Sequence, residues 1–373
     1  TIFLYLRSGD FMSDEKKNKK TLLGFIFPVV LLIALFVLPA NLQKESYYKT
    51  AWYVSLEEIK PFALPEQTLN NAALIPFVTA NRIGYITQNG TLVMNLERMN
   101  GSIIDKNKWS QWNSVGDEKL IKNIDGITSK IPAHEIPFFQ RNRIFSVSTD
   151  VLRLTEYSKD GKVLWNYQLP CHVSAFSVND SLVACGLVNG DIVILDNKGN
   201  EISYTKIGGS RIEVILGLAI SSSGNYIAAI TGIDQQRIII LERGQKNYRI
   251  VKHKYLTSNF RNQVNIYITA DENYVLYKDM SGIGVYGIKR NENIVLPIPV
   301  DTFNIYEGHE GLGICLVADF MHERIVYIMN MPQTIVGKII LPARNTFFTL
   351  QDNALLFDDG SGIAALFFEK DMQ

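Results

Sequence analysis

Five histidines, three cysteines and a few acidic turns are the residues from which this chain could build chemistry. The histidines are His134, His172, His253, His309 and His322. His309 and Glu310 fall in EGHEG (307–311), and His322-Glu323 sits one hairpin later. A metal site built from them would need those two segments to meet, and loop histidines are more often solvated than ligating. Asp358-Asp359-Gly360 has the composition of a tight turn. The cysteines are Cys171, Cys185 and Cys315, with no CxxC spacing, which excludes a zinc ribbon or a thioredoxin-type motif. Cys185 in LVACGLV and Cys315 in GICLVAD lie inside apolar runs, where cysteine acts as a small buried hydrophobe. A Cys171–Cys185 bridge stays open. No HExxH, GxSxG, GxxxxGK[ST] or EF-hand loop occurs. No catalytic residue, metal ligand or cofactor is assigned, and the expectation is a non-enzyme.

Binding chemistry is better represented. Lys+Arg and Asp+Glu are both 37, so the net charge is zero. Proteins that bind polyanions carry a basic excess, so nucleic acid is not an expected partner. His172, Arg211, Arg261 and Arg344 stand in segments that link strand-like runs, together with Glu213 and Asp301. Arginines among mixed charges suit protein recognition. Trp109 and Trp112 in KWSQW are two further candidates; they either anchor a contact or end an outer strand.

These residues must be positioned by short strands. After residue 45 the apolar runs have strand length, are rich in Val, Ile, Tyr and Phe, and are separated by Gly, Asn, Asp and Ser. Seven hairpins stand out, at 83–96, 143–157, 181–196, 225–242, 274–288, 313–329 and 354–369. Asn89-Gly90 and Asn189-Gly190 are their strongest turn signals. The turns, at Gly90, Asp150, Gly190, Gln235, Gly282, Glu323 and Ser361, are 38–47 residues apart after a first interval of 60. That period is the length of a propeller blade, about 40–45 residues. The long first interval implies an insertion within 100–134. A further strand-like run precedes each hairpin, and another follows most of them, giving four strands per unit. The last unit lacks its fourth strand, while SYYKTAWYVSL (46–56) upstream has no partner and is expected to close the ring. The expected fold is therefore all-β, a seven-bladed β-propeller over 46–370 with six or eight blades left open. Residues 57–73 are expected to lead from the closing strand to the first blade.

One segment has membrane character. Leu22–Leu38 reads LLGFIFPVVLLIALFVL, 17 residues without a charge or amide. With its flanks it can cross a hydrocarbon core of about 30 Å as a helix. Lys16, Lys17, Lys19 and Lys20 precede it and only Lys44 and Lys49 follow closely. The positive-inside rule then keeps 1–20 cytoplasmic, makes 21–40 a retained anchor, and exports the rest. Met12 opens a cleaner leader, so residues 1–11 read as an upstream extension.

The segment Tyr157-Ser158-Lys159-Asp160-Gly161-Lys162-Val163-Leu164-Trp165, with a fainter echo in LDNKGNEI (195–202), resembles a quinoprotein-type repeat. Over 46–370 the chain thus resembles the β-propeller superfamily of WD40-like and quinoprotein-like domains. Some members bind pyrroloquinoline quinone, and others are non-enzymatic, such as outer-membrane assembly lipoproteins. The adjacent cysteines of the quinone enzymes are absent here. The resemblance therefore implies a fold rather than an activity. The expected function is a membrane-anchored, extracytoplasmic scaffold that holds other envelope proteins, in a bacterial inner membrane with its propeller in the periplasm. A propeller enzyme or small-molecule binder using the central funnel, and a membrane sensor, are the alternatives.

Overall fold

A computed structural model describes residues 47–369 apart from 63–73, 115, 246, 309–312, 342–346 and 352–353. The apolar segment Leu22–Leu38, the tail before it, His309 and Arg344 lie outside the described residues. Among the described residues no helix is long and apolar enough to cross a membrane. Residues 49–368 form one compact unit; of the other, 1–48 with 369–373, only Tyr47, Tyr48 and Glu369 are described, as strand ends.

The strands form eight sheets, the blades of a β-propeller. Strand β1 (Tyr47–Ser55) comes first in the chain. Blade 1 holds β2 (Leu74–Val78), β3 (Arg82–Thr87) and β4 (Leu92–Glu97). Blade 2 holds β5 (Gly101–Asp105), β6 (Lys108–Trp112), β7 (Lys119–Asn123) and β8 (Thr128–Ile131). Blade 3 holds β9 (Glu135–Gln140), β10 (Arg143–Ser148), β11 (Arg153–Tyr157) and β12 (Val163–Gln168). Blade 4 holds β13 (Val173–Val178), β14 (Leu182–Leu187), β15 (Asp191–Asp196) and β16 (Glu201–Lys206). Blade 5 holds β17 (Ile215–Ile220), β18 (Tyr226–Thr231), β19 (Arg237–Arg243) and β20 (Tyr248–Tyr255). Blade 6 holds β21 (Ile266–Ile268), β22 (Tyr274–Asp279), β23 (Gly282–Gly287) and β24 (Asn293–Leu296). Blade 7 holds β25 (Thr302–Glu307), β26 (Ile314–Phe320), β27 (Glu323–Asn330) and β28 (Thr334–Leu341). Blade 8 holds β29 (Phe348–Gln351), β30 (Ala354–Asp358) and β31 (Gly362–Glu369), with β1 beside β31.

The seven hairpins coincide with the middle strands of seven blades. The blade count is the correction: there are eight, not seven. The stretch read as an insertion, 100–134, is a complete four-stranded sheet, β5–β8. Its middle hairpin breaks the apolar pattern because Lys108 and Lys119 occupy core positions, 1% and 0% exposed. Blade 1 in turn has three strands among the described residues, not four. Its outer edge is met by the segment after β1, where Lys60 and Asn95 exchange backbone hydrogen bonds of 2.8 and 2.7 Å.

Middle strands such as β14 (LVACGL) carry unbroken apolar runs because both of their faces are covered. In β14, Leu182 and Ala184 join a core shared with blade 5, while Val183, Cys185 and Leu187 join a core shared with blade 3. In β18, Ile227 and Ala229 face blade 4, and Ala228 and Ile230 face blade 6. The period-2 alternation of a strand thus separates two blade interfaces rather than a core from solvent.

All three cysteines are free thiols. Cys185 and Cys315 are buried, and burial pushes their thiols up to about 12 and about 11. Cys171 is half-buried. Thiolate, not thiol, attacks a disulfide reagent, so at about pH 8 the two core groups are both shielded and almost wholly protonated. An aromatic-disulfide titration of the native protein should therefore release one equivalent, from Cys171, and three after denaturation. A second fast equivalent in the native protein would contradict these core placements.

Candidate functional site

In each blade the loop entering the first strand and the turn between the second and third strands share one end of the sheet. Antiparallel pairing requires it, since the start of the first strand lies against the end of the second. Val173 is registered with Leu187 in this way, and the Val188 amide donates to the His172 carbonyl at 3.0 Å. The same link recurs from Gly232 to Val214 at 2.9 Å and from Lys278 to Asn265 at 3.2 Å, and in the reverse sense the Asp301 amide donates to the Asp319 carbonyl at 2.7 Å.

Neighbouring blades are tied together at this end. A methyl group on Gly190, which holds φ +84, would lie 2.6 Å from the Glu213 Cβ, so the blade 4 turn sits directly on the entry loop of blade 5. That loop, 207–214, rests on the buried Arg237, whose Nη2 donates to the Ile207 carbonyl at 3.2 Å. Gln263 of the blade 6 entry loop donates to the Ser174 carbonyl of blade 4 at 2.5 Å. Gln236 donates to the Phe260 carbonyl at 3.2 Å, and the Lys278 ammonium sits 4.8 Å from the Phe260 ring centre while donating to the Asp301 carbonyl at 2.6 Å. Blades 4 to 7 therefore present one continuous loop face.

The structure gathers three of the sequence candidates on that face. His172, Arg211 and Arg261 are all exposed on successive entry loops. Arg211 pairs with Asp234 through Nη2 at 2.6 Å and Nε at 2.7 Å. With the arginine side chain 81% exposed, such a pair contributes about 0–1 kcal/mol and yields readily to a competing partner. Four apolar residues accompany them: Met280 and Met321 are 59% and 63% exposed, and Val188 and Ile212 are 43% each. Methionine and arginine are both enriched in protein-contact surfaces. These apolar residues escaped the sequence reading; the signal was a methionine at a hairpin tip, in KDMSG (278–282) and DFMHE (319–323), where turns favour polar residues.

Trp109 and Trp112 lie elsewhere. Trp109 is 7% exposed and packs in the core between blades 1 and 2, its ring 5.2 Å from Phe62 and 6.1 Å from Tyr85. Trp112 is half-buried over Gly101, where any Cβ would fall 2.1 Å from the indole. Both serve the packing of blade 2. Among the described residues no group of three His, Cys, Asp or Glu side chains is arranged to hold a metal ion.

Comparison with known proteins agrees with this architecture. A family model described as beta-propeller protein matches residues 12–370. A Treponema pallidum (strain Nichols) protein, described as uncharacterized, is 23% identical over 302 residues, covering 79% of this chain and 80% of its own length. Among solved structures, BamB from Moraxella catarrhalis matches with a TM-score of 0.53 at 12% identity, over 86% of this chain and all of that one. KlAtg21, solved in complex with the coiled coil of AgAtg16, matches with a TM-score of 0.52 at 12% identity, over 75% of this chain and 98% of that one. At such identities the structural likeness is one of fold.

Proposed function

We propose, from the premise that this chain belongs to the beta-propeller protein family, that it is a non-enzymatic protein-binding platform whose contact surface is the loop face of blades 4 to 7. The observation that carries the reading is that exposed Met280, Met321, Val188 and Ile212 share the loop face of blades 4 to 7 with exposed Arg211, Arg261 and His172. Rigid sheets hold these loops, so little conformational entropy is lost on binding. The coiled-coil complex of the like-folded KlAtg21 supports such a role in general terms. The hydropathy of Leu22–Leu38 and the lysines before it support attachment to a membrane, with the propeller on the extracytoplasmic side and envelope proteins as partners.

The test is crosslinking in intact cells with a tagged full-length chain, comparing wild type with Met280→Asp/Met321→Asp/Arg261→Glu. Hot-spot losses of about 2 kcal/mol each predict at least a tenfold drop in the co-purifying proteins. The melting temperature should stay within about 2 °C, because solvent-exposed tips contribute little to stability. An unchanged partner set on a folded triple variant would remove this face from consideration.

A further inference from the structure

At the seam between blades 8 and 1 lies a cavity of about 560 Å³, a volume typical of small-molecule sites. It is bounded by the segment after β1, by the β2–β3 turn and the end of β4, and by the β30–β31 turn. Two charged groups set its character. Arg82 is half-buried; its Nη2 donates to the Glu57 carbonyl at 3.1 Å, while its Nη1 is shielded from solvent and has no hydrogen-bond partner. Asp358 is 3% exposed, and its Oδ1 accepts the Gly360 amide at 2.6 Å. Burial, seconded by the neighbouring Asp359 charge, pushes the Asp358 carboxyl above its usual range. Arg82 and Asp358 line the same space yet form no ion pair with each other. Among the described residues, Arg98, Glu57 and Glu97, exposed around the same cavity, are likewise in no ion pair, Arg98 donating to the Thr79 carbonyl at 3.0 Å.

A buried guanidinium N–H without a protein partner is costly, and an ordered water or a ligand oxygen satisfies it. A desolvated carboxylate is relieved by a cation placed against it. A ligand carrying only negative charge would meet three carboxylates, and one carrying only positive charge would meet two arginines. We propose that the seam cavity binds a small zwitterion of the amino-acid or short-peptide class, its carboxylate on Arg82 and its ammonium group on Asp358. Arg82 opens β3 of blade 1 and Asp358 ends β30 of blade 8, so the occupant bridges the two blades that close the ring. Binding then stabilises the folded propeller by mass action.

The experiment is thermal melting of the full-length protein with L-alanine, tri-L-alanine, propionate and propylamine. Alanine or its tripeptide should raise the melting temperature saturably, by about 2 °C or more, while the singly charged controls leave it unchanged. Whichever zwitterion saturates at the lower concentration identifies the free amino acid or the peptide as the ligand. Arg82→Met and Asp358→Asn should each abolish the rise. If Arg82→Met does not fold, calorimetric titration of Asp358→Asn, expected to bind at least about tenfold more weakly, decides the matter. A rise of equal size with propionate or with propylamine alone would overturn the proposal, as would no saturable rise with any of the four.

Discussion

A chain that begins at Glu57 should not yield a folded monomer, whereas one that begins at Lys44 should. The difference is the closing strand. β1 is the outer neighbour of β31, and its removal bares the backbone edge of an eight-residue strand, GIAALFFE. Open edges of this length and apolarity invite pairing between chains. The loss also reaches the core between blades 8 and 1. Leu56 is buried there, and Trp52 and Val54 pack against Ile75, Phe77, Leu356 and Ile363. The Trp52 indole donates to the Gln88 carbonyl of blade 1 at 2.9 Å, and the Leu56 amide donates to the Ser361 carbonyl of blade 8 at 3.0 Å. Truncating a buried Leu or Trp costs about 2–5 kcal/mol, so losing the set rivals the whole stability of a domain, about 5–15 kcal/mol. Gel filtration and near-ultraviolet circular dichroism should show aggregate for the shorter chain. A synthetic peptide of residues 45–62, supplied during refolding, should restore part of the monomer. A monomeric shorter chain with an unchanged melting temperature would show that β1 is dispensable for closure.

The hairpins of blades 1 and 3 to 8 could be read from the amino-acid sequence because their middle strands are buried on both faces. LVACGL is apolar throughout and YIAAIT up to its last residue, and apolar runs between turn residues are a local signal. Blade 2 escaped for the opposite reason. Lys108 and Lys119 mark solvent in a one-dimensional reading, yet both are buried, and burial pulls their ammonium groups below the usual lysine range. Their compensation combines near neighbours, with Asp105 3.6 Å from the Lys108 ammonium, and groups distant in the chain. Lys108 donates to the Asn142 carbonyl at 2.9 Å and its side-chain oxygen at 2.6 Å, and Lys119 donates to the Asp117 and Ala133 carbonyls at 2.9 and 2.8 Å. Because blade 2 reads as an insertion, KWSQW leaves two readings open, a contact anchor or the end of an outer strand, whereas it forms β6, the second strand of a blade of its own. The loop arginines were legible because turn composition marks where strands end. The methionines beside them were missed although their place at hairpin tips, in KDMSG and DFMHE, was a local signal, because apolar residues are by default read as core.

Replacing Arg143 by alanine should destabilise the propeller by about 3–5 kcal/mol, the range for breaking a buried ion pair from one side. Arg143 and Glu156 meet across the β10–β11 hairpin in a two-pronged pair, Nε to Oε1 and Nη2 to Oε2, both at 2.7 Å. Their side chains are only 14% and 7% exposed, and the guanidinium lies 4.9 Å from the Phe145 ring centre. The remaining prong, Nη1, donates to the Asn179 carbonyl of blade 4 at 3.2 Å, and Asn179 in turn donates from Nδ2 to the Ser221 carbonyl of blade 5 at 3.0 Å. The arginine therefore neutralises a buried carboxylate and begins a relay that ties three blades. Alanine would leave the Glu156 charge desolvated with no counter-ion and would empty the space over Phe145. If desolvated charge dominates, Arg143→Met/Glu156→Met should recover to within about 1 kcal/mol of wild type, because a packed apolar pair replaces a buried ion pair at little cost. If the relay dominates, the double variant should stay as unstable as the single one, since neither methionine can donate to Asn179. Urea unfolding followed by tryptophan fluorescence distinguishes the two, provided the slope with denaturant is unchanged. A loss below about 1 kcal/mol for Arg143→Ala would mean that water already reaches the pair, as it does at surface ion pairs.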